Sequence, residues 1–411
     1  MCEQTNDIEK QIKSNEIKYV IIEVLHYVAL FLSSGAIIQT FLLWVGVSNT
    51  RVEFYTSYVL IFQCAAMGLC ALFADKFKKV KADISICRFI FPVFFLLLVA
   101  ILFSGTRDID LIYGTVLIGS LILNFALGIY NIILYKLPYY IYPIKSYGRI
   151  VSVSGIFASA VGIGSSFLLS LFVSLFDYRI VITVAFLIGA ILYLVCAVLN
   201  TSYKTIKEEE KTDEKSGSLK DFFSQPVFYK TILPTILRGV GIGIVGLIVS
   251  IGMRDEILST ETATWLTIIT SVAAVVGNMF YFLIERKIKH RKIMFLSGFL
   301  AGIFIPFMTV GKSLIMLYVF YFLGYLSITV IGTAHPVLVY ESVDYKHIGR
   351  YTAWRMLLMT LGQAIPGFFI GALYGIVGSV GIMTMGALCF LLSSIGLGLF
   401  LRKNKETETE N

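Results

Sequence analysis

Apolar runs of eighteen or more residues recur along nearly all of this 411-residue chain, and that repetition leaves few folds open to it. A run of that length, coiled as a helix, spans the roughly 30 Å hydrocarbon core of a bilayer. The runs are continuous rather than alternating, which excludes the wall of a β-barrel. Hydrophobic residues make up 57% of the chain and charged residues 15%, with a mean hydropathy of +0.83. A soluble protein with that balance could not cover its surface with polar groups. The expectation is an all-α integral membrane protein.

Hydropathy places twelve transmembrane helices, at 19–46, 52–74, 84–104, 111–137, 149–174 and 178–200, then at 228–252, 262–284, 293–310, 313–338, 351–375 and 379–402. A charged break, 202–225, separates the two sets of six and is too polar to cross lipid, so it reads as a cytoplasmic linker. Leu219 to Phe223 within it suits a short surface helix. The predicted organisation is a cytoplasmic N-terminal tail (1–18), a six-helix bundle (19–201), the linker (202–225), a second six-helix bundle (226–402) and a cytoplasmic tail (403–411).

The net charge of +8 does not point to nucleic acid. Lys76, Lys78, Lys79, Lys81, Lys145, Arg149, Arg286, Lys287, Lys289, Arg291, Lys292, Lys346 and Arg350 all fall in one set of short loops, against scattered single cations in the opposite set. Cation-rich short loops stay inside, so both termini are expected in the cytoplasm, in a multi-pass protein of the cell membrane. Met1 to Lys18 is polar and the first apolar run is long, so no cleavable signal is expected. The six cysteines show no paired spacing and read as small core residues, with no metal site or cofactor expected.

Two echoes join the halves. Asp75 and Lys76, then Lys78 and Lys79, follow the second apolar run; Glu285 and Arg286, then Lys289, Arg291 and Lys292, follow the eighth. Leu137-Pro138 and Tyr142 precede Gly148-Arg149, as His335-Pro336 and Tyr340 precede Gly349-Arg350. A proline at a helix exit is expected to end or kink the helix. Repetition of this kind marks a pair of similar six-helix halves.

On these residues the chain resembles the major facilitator superfamily, whose loop between helices two and three reads roughly Gly-x-Leu-Ala-Asp-Arg-x-Gly-Arg-Arg. Here Ala71, Phe73, Ala74, Asp75, Lys76, Lys78 and Lys79 occupy it, with both glycines replaced. The resemblance implies the major facilitator fold of two pseudo-symmetric six-helix bundles. It also implies that Asp75, Lys76, Lys79, Glu285 and Arg286 latch a cytoplasmic gate; the alternative is plain anchoring by cations. Glu341 to Tyr345 with Gly349-Arg350, and Asn131 with Leu137-Pro138-Tyr139, are similar to the glycoside–pentoside–hexuronide cation symporters. That branch carries an acidic pair for sodium where this chain has Gln63 and Met67, and methionine offers a hard cation no oxygen.

Polar groups inside the spans carry the functional expectation, since a charge at mid-bilayer costs about 2.5–3.5 kcal/mol on insertion scales. Glu23 and His26 sit one turn apart on helix one, a candidate proton-coupling pair; the bland reading is pairing of Glu23 with a headgroup-level cation. Arg238 lies deep in helix seven, followed by Gly239, Gly241, Gly243 and Gly246, residues that let backbones approach or bend. It is expected to face a central cavity. Gln39, Asn124, Asn131, Tyr321, Tyr325 and Gln363 complete the candidate substrate site, against a bland reading of interhelical hydrogen bonds. Arg88 and Arg355 lie near helix ends, where snorkelling accounts for them.

No ATP-binding loop and no His-Glu-x-x-His motif occurs, so neither an enzyme nor a pump is expected. The expected function is secondary transport of a small organic solute by a monomer in the lipid bilayer, proton-coupled, with sugar uptake first. The alternatives are a drug or metabolite exporter of the same fold, and a non-transporting receptor or assembly partner.

Overall fold

The computed structural model describes residues 2–32, 35–73, 77, 79–205, 223, 225–258, 260–343 and 345–401, and the described residues form helices joined by short turns. In chain order these are α1 (Cys2–Leu32), α2 (Gly35–Trp44), α3 (Asn49–Phe73), α4 (Val80–Phe103), α5 (Ile109–Leu134), α6 (Pro138–Ile141), α7 (Ile144–Leu175) and α8 (Tyr178–Thr201). Beyond the linker come α9 (Pro226–Gly246), α10 (Ile248–Arg254), α11 (Thr260–Ile284), α12 (His290–Val310), α13 (Leu314–Ser342) and the stretch Tyr345–Phe400. Gly378 splits that last stretch into α14 (345–377) and α15 (379–400). Its φ of 66° with ψ of −178° is a conformation only glycine adopts without strain.

Among the described residues, eight segments are long and apolar enough to cross a membrane, and Ile61–Phe73 and Ile268–Ile284 add shorter apolar stretches. Every segment predicted to span carries helix. Boundaries differ in instructive ways. The first predicted span is covered by α1 and α2, with residues 33 and 34 between them outside the described residues, and α1 takes in the polar head predicted as a tail. The seventh is α9 and α10, parted at Leu247. At the predicted proline exits, α5 ends at Leu134 and Pro138 opens the single turn α6, as suits proline at a first helical position. Pro336 does not end its helix: α13 runs through it to Ser342. The suggested helix at Leu219 to Phe223, apart from Phe223, lies outside the described residues, as does the tail 403–411.

The chain divides into two compact units. Unit 1 comprises Met1–Ile144 and Val161–Glu214; unit 2 comprises Lys145–Ala160 and Lys215–Asn411. Within unit 1, α4 packs on α5 and α8, α3 on α5, and α1 on α8. Lipid tails are as apolar as leucine, so close packing rather than hydrophobic burial holds such helices together. Phe91, Phe94, Phe95, Phe186 and Tyr193 fill the centre, with Phe91 and Tyr193 edge to face at 4.9 Å. Gly189 leaves room for the Phe95 ring, which a Cβ there would meet at 2.7 Å.

The head of α1 belongs to this unit. Asn15 is fully buried, donating from Nδ2 to Ile141 O (2.8 Å) and Lys204 O (2.7 Å), while Oδ1 accepts from Lys204 N (3.2 Å). Lys18 donates to Ser202 O and Gln11 to Thr205 O. Asp108 and Asp177 cap α5 and α8 by accepting first-turn N–H groups, the usual remedy for unpaired donors at a helix start. In unit 2, α9 packs on the Tyr345–Phe400 stretch, α12 on α13 and that stretch, and α11 on α13.

Candidate functional site

Unit 1 holds a buried ion pair with a hydroxyl between its partners. Arg88, on α4, is 1% exposed. Its Nη2 donates to Glu23 Oε1 on α1 at 3.1 Å and to Tyr130 Oη on α5 at 2.5 Å. The Tyr130 hydroxyl in turn donates to Glu23 Oε1 at 3.2 Å, so the three side chains close a triangle. Arg88 also stands over the Tyr130 ring at 5.1 Å, a cation–π contact. A second guanidinium nitrogen reaches Cys196 O on α8 at 3.4 Å. Removing two charges from water is costly, and the triangle offsets that cost with mutual attraction and hydrogen bonds.

The predicted Glu23–His26 pair is therefore organised differently. Glu23 bonds Arg88 and Tyr130, while the His26 ring packs on Tyr130 (4.9 Å), Tyr193 (5.4 Å) and Phe91 (6.1 Å). His26 Nδ1 is buried without a hydrogen-bond partner among the described residues. Arg88 is a correction. It does not snorkel, because α1, α5 and α8 close over it. Tyr130, one residue before the Asn131 already singled out, escaped notice for the same reason: neither residue's partner lies on its own helix.

The remaining candidates in unit 1 are local. Asn124 donates to Ser120 O one turn back at 2.8 Å, and Asn131 lies on the same helix, half-buried. Gln39 lies on α2, and its side chain is outside the described residues, as are Asp75 and Lys76. Lys79 stands at the N-cap of α4 without a side-chain cap bond.

In unit 2, Arg238 is buried on α9 and donates to His335 Nδ1 on α13, a histidine fully enclosed by the fold. The ring therefore accepts at Nδ1. The sequence places His335 only at a helix exit, and no local spacing links it to Arg238, 97 residues away. Tyr321 Oη lies 3.0 Å from Thr270 Oγ1, and the Tyr321 and Tyr325 rings meet at 5.4 Å. Gln363 sits on α14 where Gly243 of α9 passes its backbone closely. An apolar cavity of about 290 Å³, lined by Val240, Ile244, Pro366, Phe369, Ile376 and Met385, holds none of the predicted polar residues.

Glu285 and Arg286 form an ion pair at 3.6 Å, with Arg286 largely exposed. Burial raises the Glu285 carboxyl above its ordinary value, and Arg286 and Arg149 oppose the rise. The Tyr281 hydroxyl lies 2.9 Å from His290 Nδ1. His290 Nε2 stands 3.7 Å from Glu341 Oε1.

No family model matches the chain, and no curated protein sequence matches it either. Solved structures do. The E. coli fucose:proton symporter FucP is 15% identical with a TM-score of 0.75, the match covering 96% of this chain and 100% of that one. The proton:xylose symporter XylE is 13% identical with a TM-score of 0.76, covering 96% and 97%. A bacterial homologue of the iron transporter ferroportin, in an outward-facing state, is 15% identical with a TM-score of 0.74, covering 94% and 99%. The chain has the twelve-helix major facilitator fold of these transporters.

Proposed function

We propose that the chain is a member of the major facilitator superfamily, a secondary carrier that moves a small organic solute across the membrane by alternating access, with the halves 19–201 and 226–402 rocking about a central site. It is a multi-pass membrane protein, working as a monomer in the cell membrane with both termini cytoplasmic. Sugar uptake driven by protons is the reading we favour. The likeness of fold to two sugar:proton symporters supports it, as do the amide and tyrosine side chains on the spans. Gln39, Asn124, Asn131, Arg238, Tyr321, Tyr325 and Gln363 are the residues proposed for the solute. Asp75, Lys76, Lys79, Glu285 and Arg286 are proposed for the cytoplasmic gate.

The Glu23–Arg88–Tyr130 triangle carries the coupling. A proton arriving on Glu23 cancels the charge that Arg88 faces and turns one carboxylate oxygen from acceptor into donor. Both bonds of the triangle reach Glu23 Oε1, so a proton on Oε2 leaves the bonds possible but removes the charge attraction, and protonation and helix packing are linked through that attraction. His26, against the Tyr130 ring, supplies a second titratable group beside it.

A solute is first found by thermal shift against monosaccharides, nucleosides, peptides and common drugs, since binding raises apparent stability. In proteoliposomes, Glu23→Gln is then expected to keep solute exchange at zero gradient while losing accumulation driven by a pH gradient. Full gradient-driven accumulation by that variant would remove Glu23 from coupling. Export of a drug or metabolite is the second reading, favoured by the wholly apolar cavity in unit 2. The direction of net movement in oriented vesicles separates the two.

A further inference from the structure

The apolar cavity of unit 2 lies between α9, α14 and α15 and is open on one side. Phe369, Ile376 and Met385 of its lining are exposed, Ile376 at 80%, while Ile244 and Ile382 are buried. A Cβ at Gly375 or Gly378, beside Ile376, would meet nothing within 4 Å, so the end near the α14–α15 turn is unobstructed. Among the described residues every side chain lining it is apolar. A cavity of that kind stays dry, and at about 290 Å³ it has the volume of a small ligand pocket.

Charge stands at one end of it. Tyr374 falls between Leu373 and Ile376, both of which line the cavity. Arg254, where α10 ends, is exposed and holds its guanidinium over the Tyr374 ring at 3.8 Å. The Tyr374 hydroxyl donates to Asp255 Oδ1, and Asp255 Oδ2 is left without a hydrogen-bond partner among the described residues. A guanidinium that stacks by its face keeps its edge N–H donors for another group. One ring thus gathers a cation and an anion side by side, next to a groove lined by hydrocarbon.

We infer that this cavity binds a zwitterionic phospholipid of the surrounding bilayer, with one acyl chain in the groove and the phosphate on Arg254. A lipid chain gains no hydrophobic stabilisation by leaving other lipid chains, so the headgroup must supply the preference. Arg254 supplies it through charge-assisted bonds to the phosphate. Asp255 selects among headgroups: it attracts the ammonium of a zwitterion, whereas a phosphoglycerol headgroup offers it no cation. An apolar drug, the occupant that export would put in the groove, needs neither charge. The site depends on the helices spanning a membrane, and not on transport.

Photo-cross-linking of the full-length protein in lipid nanodiscs tests this. The probes are phosphatidylcholine and phosphatidylglycerol carrying the same diazirine-bearing acyl chain, each added sparingly to nanodiscs of unlabelled phosphatidylcholine. Peptide mapping is expected to find the phosphatidylcholine label on 365–385 roughly fivefold above that on the exposed Ile188, Ile191 and Val198 of α8. Ala372→Trp fills the groove and is expected to bring that label down to the α8 level. Arg254→Ala is expected to lower it severalfold, and Asp255→Asn to erase the preference for phosphatidylcholine over phosphatidylglycerol. Label on 365–385 no higher than on α8 overturns the inference, as does label that Ala372→Trp leaves in place. Equal capture of both probes by the unaltered protein overturns it too. Should Ala372→Trp fail to fold, the exposed change Arg254→Ala decides. Label that Arg254→Ala leaves in place but an added apolar drug removes gives the groove to the drug and sinks the lipid site.

Discussion

Arg88 shows what a single side chain can hide. Its place on α4, one turn or so from a helix end, reads as a cation reaching for headgroups, and nothing within its own span contradicts that. Depth along one helix is legible in a sequence; what packs over the residue is not, and α1, α5 and α8 supply the cover. Glu23 and His26 were legible because a charge and an imidazole one turn apart inside an apolar run demand an explanation. Their partners lie 65 and 107 residues beyond Glu23, a pairing that no local spacing encodes. Arg88→Ala is expected to cost on the order of 3–5 kcal/mol, since it strands a buried carboxylate. The double variant with Glu23→Ala should lose less than the two single losses combined. Thermal unfolding of the purified protein in detergent checks both, and a cost below about 1 kcal/mol would place the pair near water.

Among the helices, the glycines after Arg238 illustrate how spacing predicts a role and leaves its partner open. A Cβ at Gly239 would fall 2.2 Å from Met359 O, and one at Gly243 would fall 2.5 Å from Gln363 O. Gly362 of α14 answers them, its Cβ position lying 2.5 Å from Ile236 O. The α9–α14 contact is therefore backbone against backbone, and a carbonyl cannot step aside as a side chain can. Gly241 instead faces the Phe390 ring, and Gly246 faces open space. Four glycines that look alike in the sequence thus have three different surroundings. Gly239→Ala is expected to destabilise by about 2 kcal/mol or more, while Gly246→Ala is expected to be neutral or slightly stabilising. Melting temperatures of the two variants, measured side by side, decide it.

For the molecule as a whole, helix number and class were readable because hydrocarbon thickness imposes one length on every crossing. Breaks within crossings were not. Leu247 interrupts α9 and α10, and Pro336 interrupts nothing, since neighbouring groups can satisfy what a proline frees. The shared membership of α7 was equally invisible, because it depends on packing rather than on composition. The proposed sidedness rests on the loop cations alone. Single cysteines introduced at Ser216 and Lys289 are expected to react with an impermeant reagent only from the cytoplasmic side, and one at Arg107 only from outside. Labelling of Ser216→Cys from outside would reverse the assigned topology.

The polar head of α1 changes how the central connection is to be counted. Ser202 to Thr205 are tied to Gln11, Asn15 and Lys18, so the rope between the halves starts at Thr205 rather than where α8 stops.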